Sequence, residues 1–196
     1  YYYKRSIQQV RVATVLGIIL NGAIGIIDPF IVPDVLVEIL ILRYLIILPV
    51  LAACLVATYI FKTEKSLQVI DVIGILTASL GVAVMMFIDR GPGGQIYYEG
   101  LILMIVFGYS FPRQRFFYAT LVGWATTIFY ILTAIFIRKP GVIILINNSF
   151  FCMIANFIGM PIAYILEASM RTEYLNALEM KRANKALRKM SLFDDL

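Results

Sequence analysis

The amino-acid sequence predicts an all-α membrane protein: a bundle of six transmembrane helices with both termini in the cytoplasm, which continues into a cytoplasmic coiled-coil helix. Composition is the first reason, since 61% of the 196 residues are hydrophobic, 15% are charged and the mean hydropathy is +0.88. A soluble domain has roughly a quarter of its residues charged. The other two reasons are six apolar runs and an uneven distribution of basic residues along the chain.

Six apolar runs account for the predicted membrane crossings, because about 20 apolar residues are needed to span a bilayer. Breaker residues such as Asp28-Pro29 and Lys139-Pro140-Gly141 separate the runs. The fourth run is short, and together the six define a predicted membrane domain over residues 1–167. The runs cover residues 12–27, 36–61, 67–88, 97–111, 117–137 and 148–166.

The basic residues predict the orientation of the bundle. With both termini inside, thirteen of the seventeen Lys and Arg residues lie in cytoplasmic segments, whereas Arg90, Arg138 and Lys139 lie outside. This asymmetry follows the positive-inside rule. The net charge of +5 is therefore a topology signal rather than the mark of a nucleic-acid partner, and the expected partner of the bundle is the lipid bilayer.

Few residues suited to catalysis or metal binding are present. The chain has no histidine, and Cys54 and Cys152 lie inside apolar runs, where a thiol behaves as a small hydrophobic group. Asp71 and Glu167 are expected near the cytoplasmic headgroups, as solvated or snorkelling charges. The sequence therefore predicts no active site, metal site or cofactor within these residues.

Arg43 breaks the apolar pattern of the second run, roughly 10 Å below its outer border at about 1.5 Å per residue. Its neighbours three and four positions away are apolar, so its partner must come from another helix. Five polar residues are expected at or just above the same depth on other runs: Asn21, Tyr130, Asn156, Asn147 and Asn148.

Two interpretations of this polar set are open. In the first, hydrogen bonds between these side chains hold the helices together, and the guanidinium of Arg43 snorkels upward. In the second, the set lines a pocket for a small or lipid-like ligand that enters from the outer side. Arg43 would then meet an anionic or carbonyl group of that ligand.

The composition changes abruptly after the sixth run. Residues 168–190 are rich in Glu, Lys, Arg, Ala, Leu and Met and contain neither Gly nor Pro, which predicts a continuous helix leaving the membrane. Met180, Ala183, Leu187 and Met190 follow a 3-4-3 spacing, which is typical of a coiled-coil seam. A solvated amphipathic helix without a partner is the alternative. The sequence predicts this linker helix over residues 168–191.

The C-terminal stretch LRKMSLFDDL, Leu187 to Leu196, resembles the entry to GGDEF diguanylate cyclase domains, in which a linker helix runs into an aspartate-leucine pair. On this resemblance residues 192–196 would begin a catalytic domain that is not in this chain. The membrane part is similar to the six-span sensor regions ahead of bacterial class III adenylyl cyclases. That likeness is carried by Arg43-Tyr44, YYEGLILMIVFGYSF from Tyr97, Arg115-Phe116, Gly123-Trp124 and NNSFFCMIANFIGM from Asn147.

These resemblances imply a homodimeric receptor in the bacterial inner membrane whose output domain makes cyclic di-GMP from two GTP molecules, with Mg²⁺ in that domain. A receptor region of an adenylyl cyclase is the first alternative. A transporter or membrane assembly protein is the second, and the scarcity of intramembrane carboxylates and the lack of an internal repeat count against it.

Overall fold

The computed structural model describes residues 2–61, 63–89, 91, 93–110 and 114–194, and every regular element among them is helical. Nothing is described of the side chains of residues 2–6, 64, 93, 95, 138 and 186–194. The α-helices are α1 (Tyr2–Ile24), α2 (Asp28–Ile31), α3 (Leu36–Leu40), α4 (Leu48–Ile60), α5 (Glu64–Ile88), α6 (Gly93–Ser110), α7 (Phe116–Thr133) and α8 (Val142–Asp194).

The second apolar run forms one helical segment of changing pitch. A 3₁₀ turn over Pro33–Val35 leads into α3, and a π-helical segment over Ile41–Ile47 joins α3 to α4. The π-helical segment ends two residues before Pro49, and the amide of Leu48 donates to the carbonyl of Arg43, five residues back. Because proline crowds the turn before it and has no N–H, a wider turn at this point relieves the clash.

Five helical segments of the described chain are long and apolar enough to cross a membrane by length and composition. They are Ile7–Ile24, Pro33–Ile60, Lys65–Ile88, Phe116–Ile137 and Val142–Lys185. The helix over Ile96–Ser110, which corresponds to the short fourth run, is apolar but falls below that length. Six crossings with both termini in the cytoplasm stay a prediction.

Helix α5 lies at the centre of the bundle. It packs against α1, α4, α6 and α7, and 61% of its apolar window is buried, against 22–39% for the other four long segments. Helix α8 packs against α6 and α7. Large apolar side chains cover much of the outer surface, for example Phe30 and Ile143 at more than four-fifths exposed. A bundle with this surface suits a lipid environment.

Helix α8 runs as one element from the bundle into the region predicted as a linker. At about 1.5 Å per residue it is about 80 Å long. Between residues 168 and 185 no described side chain is buried, and Met180 is 68% exposed. The helix includes residues 192–194, which the sequence assigned to a following domain. The side chains of Leu187 and Met190, and the whole of Asp195 and Leu196, lie outside the described residues.

Candidate functional site

Arg43 lies in the π-helical segment, and its guanidinium is enclosed by protein. The Nε atom donates to Asp28 Oδ2 at 2.8 Å, and Nη2 donates to Asp28 Oδ1 at 3.1 Å and to the sulfur of Met85 at 3.4 Å. The Nη1 atom donates to the backbone and side-chain oxygens of Asn21 at 3.0 and 2.9 Å. A guanidinium carries five N–H donors, so every donor of Arg43 is occupied.

Asp28 is the counter-ion of Arg43 and is fully buried in α2, just beyond the end of α1. Besides the two bonds from Arg43, its Oδ1 accepts the hydroxyl hydrogen of Tyr97 on α6 at 2.8 Å. One carboxylate thus connects α2, the second span and α6. Three hydrogen bonds and an opposite charge compensate for removing the carboxylate from water.

The expected upward orientation of Arg43 toward the headgroups is wrong. Its side chain is 1% exposed and forms a closed, bidentate pair with Asp28. Because Asp28 precedes Pro29, its position in the sequence indicates a helix breaker rather than the partner of an arginine. A signal was available, because Asp28 is the carboxylate that directly follows the first apolar run, and a lone intramembrane arginine needs an acid.

Gly25, in the turn that follows α1, makes room for this pair. A Cβ atom on Gly25 would lie 2.5 Å from the Tyr44 hydroxyl and 2.9 Å from Cδ of Arg43, so a larger residue there would have to displace both side chains. The hydroxyl of Tyr44 donates to the carbonyl of Gly22, near the end of α1, at 3.0 Å.

Asn156 belongs to a second polar cluster on α6, α7 and α8. Its Nδ2 donates to Thr127 Oγ1 at 2.7 Å and to the carbonyl of Cys152 at 2.9 Å, and its Oδ1 accepts the hydroxyl hydrogen of Tyr109 at 2.9 Å. The Tyr109 ring lies directly against Gly159, where any side chain would collide with it. Asn156 is fully buried. Its bonds to Tyr109 and Thr127 join α8 to α6 and α7, and its bond to Cys152 lies within α8.

Tyr130 and Asn148 belong to a third group, near the start of α8. The ring of Tyr130 packs against that of Tyr98 with centroids 5.7 Å apart, and the Tyr98 hydroxyl donates to the carbonyl of Asn148 at 2.9 Å. A small cavity of about 10 Å³, roughly the room needed by one water molecule, borders both Tyr130 and Asn148. Asn147 is exposed and reaches Asn148 at 3.4 Å.

The predicted polar set is thus divided among three groups, and only Asn21 contacts Arg43. Asn148 and Asn156 are eight residues apart on one helix, about 12 Å along its axis, so they cannot share a layer. Within the set, the Nδ2 of Asn21 stands out as a buried donor that has no acceptor among the described residues. Ligand binding by these residues stays a prediction.

The opposite end of the bundle joins α8 to α7. Glu167 accepts the amide hydrogen of Phe116 at 2.7 Å and the guanidinium of Arg171 at 2.6 Å, while Gln68 of α5 accepts the amide hydrogen of Arg115 at 3.0 Å. These two side chains cap the first turn of α7. Glu167 therefore fixes the position at which α8 leaves the bundle.

No family model matches the sequence, and neither a curated protein nor a solved structure matches it. Within the described part of the chain, no group of three or more His, Cys, Asp or Glu side chains is placed to hold a metal ion. Function must therefore be argued from the geometry itself. The geometry offers buried polar connections between helices and one long helix that extends beyond them.

Proposed function

We propose that this chain is the membrane sensory and dimerisation region of a bacterial nucleotide cyclase, with six spans and both termini in the cytoplasm. The output domain we propose is a diguanylate cyclase, which joins two GTP molecules into cyclic di-GMP. One observation carries the proposal: α8 passes without interruption from the packed bundle into an exposed helix.

The buried half of α8 is held in a way that suits signal transmission. Asn156 connects it to α6 and α7, and Glu167 connects it to the first turn of α7. A rearrangement of α6 or α7 would therefore turn or shift α8 as a unit. Because the helix continues beyond Glu167, the same movement would reach its far end.

The exposed half of α8 supports a dimer. Long single helices in water are marginally stable unless an apolar face packs against something, and Met180 and Ala183 of the 3-4-3 seam are both exposed. A second copy of α8 would cover that seam as a parallel coiled coil. Two catalytic domains on such a pair could face each other, which condensation of two GTP molecules requires.

The stimulus we propose is a small or lipid-like molecule that reaches the outer half of the bundle. Arg43 has no free donor, so a ligand there would have to exchange with Asn21 or Asp28. A cavity of about 10 Å³ instead lies between Tyr130 of α7 and Asn148 on the first turns of α8, and it would have to widen to admit a ligand. A ligand in that cavity would press on the helix that leads to the output domain.

Insertions after Lys181 test the coupling in the full-length protein. Four inserted residues would rotate the following chain by about 40° and shift it by about 6 Å, whereas seven would nearly restore the phase. We expect the four-residue insertion to change cyclase activity more than the seven-residue insertion, with GTP as substrate. Equal activity of the two would refute the coupling. An ATP-specific product would identify an adenylyl cyclase, and no cyclase activity would favour a transporter or assembly protein.

Disulfide cross-linking tests the dimer on this chain alone. Cysteines placed at Met180 and Ala183 should cross-link two copies under mild oxidation. Cysteines at Arg182 and Lys185, which occupy the outer face of the same two turns in a 3-4 heptad, are the matched controls and should cross-link poorly. Equal cross-linking at all four positions would contradict the parallel seam.

A further inference from the structure

A groove lies among α1, α4, α5 and α6, away from the polar groups described above. Its volume is about 40 Å³, roughly three times the 10–15 Å³ that one water-sized group needs. Its walls are almost entirely apolar and include Leu51, Ile75 and Met104. The groove is therefore narrow, and it suits the first few methylenes of a single hydrocarbon chain rather than a bulky ligand.

Asp71 is the charged group in the lining of the groove. Its side chain is 6% exposed, and its Oδ2 atom accepts no hydrogen bond from any described residue. Arg11 of α1 is engaged elsewhere, because its guanidinium donates to the hydroxyl and carbonyl of Thr58 and stacks on the ring of Tyr59 at 3.6 Å. The expectation that Asp71 is solvated is therefore wrong.

A buried carboxyl oxygen without a donor is costly, and it is rarely left without a role. Asp71 lies about 10 Å along α5 from Glu64, on the side of the bundle predicted to face the cytoplasm. From Asp71 the groove continues for about another 10 Å to Ala78. The acid is thus at the shallow end, and the purely apolar part of the groove lies deeper.

Small residues keep the groove open. A Cβ atom on Gly17 would meet no other atom within 4 Å, and one on Gly74 would make only ordinary contacts with Leu51 and Cys54. No large side chain therefore fills the space between the helices beside Gly17. The helices leave a space that a larger residue at position 17 would fill.

We propose that this groove binds a single-chain amphiphile with an ammonium headgroup. The alkyl chain occupies the apolar part between α1 and α5, and the ammonium donates to Oδ2 of Asp71. This ligand supplies both the donor and the positive charge that the carboxylate lacks, and it places its charged end toward the membrane border. The inference concerns binding by this chain and does not depend on a cyclase output.

Labelling of Cys54 reports on the groove, because this thiol lines it. The purified full chain is treated with a cationic reagent, 2-aminoethyl methanethiosulfonate, and with the neutral methyl methanethiosulfonate. We expect the ratio of cationic to neutral rates to fall by about tenfold or more in Asp71→Asn, since a cleft of one charge concentrates the opposite ion by at least this factor. The ratio cancels any change in the reactivity of the thiol itself.

Two variants serve as controls for these rates. Asp34→Asn removes an exposed carboxylate outside the groove and should leave the ratio unchanged. Cys54→Ala measures any labelling of Cys152, which is fully buried. An unchanged ratio in Asp71→Asn would show that the carboxylate does not act on the groove and would overturn the proposal.

Protection of Cys54 by amphiphiles tests the ligand class. We expect dodecylamine to slow labelling by the neutral reagent more than dodecanol of the same chain length, and dodecanoic acid to give no protection. The advantage of the amine should disappear in Asp71→Asn. Gly17→Leu retains the acid but fills the space, so all protection should be lost there even if Asp71→Asn folds poorly. Equal protection by amine and alcohol in the native sequence, or none by either, would overturn the assignment.

Discussion

Replacing Asp28 with alanine should destabilise the bundle by about 3 kcal/mol. The change removes three hydrogen bonds, two from Arg43 and one from Tyr97, and leaves the guanidinium buried without its counter-ion. Three polar bonds between membrane helices at about 0.6 kcal/mol each give a lower bound near 2 kcal/mol. Loss of one partner of a buried ion pair in water-soluble proteins costs about 3–5 kcal/mol, which sets the upper bound.

A double substitution tests whether Asp28 and Arg43 stabilise the bundle as an ion pair or independently of each other. Asp28→Leu combined with Arg43→Met removes both charges and keeps apolar volume. We therefore expect the free energy of unfolding of this double variant to lie within about 1 kcal/mol of the native value. Each single variant should lower the free energy of unfolding by far more than half of the loss in the double variant. The two effects should therefore be strongly non-additive in a double-mutant cycle.

Trp124 provides the measurement, because it is the single tryptophan of the chain and packs against Phe157 at 5.7 Å between ring centroids. Its fluorescence reports the separation of α7 from α8 during unfolding, as sodium dodecyl sulfate is added to mixed micelles. Single variants within about 0.5 kcal/mol of the native chain, with additive effects, would refute the buried pair. A variant of Arg43 that folds normally but alters the response of the full-length protein would instead support a sensing role.

Three further predictions follow from the packing. Gly25→Ala should cost about 1–3 kcal/mol by overpacking against the Arg43-Tyr44 dipeptide. Gly17→Ala within α1, with open space around it, should be neutral or stabilising by up to about 1 kcal/mol; the same denaturation curves decide. Tyr109→Phe should lose about 1 kcal/mol, and a loss of zero would exclude its bond to the Asn156 cluster. In intact cells or oriented vesicles, Gly141→Cys should react with a membrane-impermeant maleimide from the outside and Thr63→Cys from the cytoplasmic side; labelling of both from one side would contradict the six-span topology.

The sequence was sufficient for the helices because their signals are local. Apolar runs and breaker residues predicted every long helix, although α1 begins ten residues earlier than its apolar run and α8 begins six residues earlier. At α1 the run marks only the hydrophobic part of the helix, whereas backbone hydrogen bonds continue through polar residues such as Gln8. At α8 the run was started too late, because residues 142–146 are also apolar and Asn147 and Asn148 were interpreted as the border of the helix.

The polar contacts could be predicted only in part, because they depend on rotation about each helix axis as well as on depth. Counting residues from the border correctly associated Asn21 with Arg43 but also added Asn156, which faces α6 and α7. The π-helical segment around Arg43 turns its side chain in a way that no regular periodicity anticipates. Asp28 was overlooked because a residue beside a proline was interpreted as loop chemistry.

The closeness of Asp28 and Arg43 along the chain, 15 residues, bears on biogenesis. An arginine in the middle of a nascent span adds about 2.5–3.5 kcal/mol to the free energy of its insertion by the translocon. Here the compensating acid is synthesised before the arginine and lies in the short helix that precedes the second apolar segment, so the first two segments can enter the bilayer as a hairpin in which the charge of Arg43 is already neutralised. Removing Asp28 should accordingly lower the fraction of newly made chains whose second span is inserted, an effect on membrane integration that precedes any effect on the folded bundle.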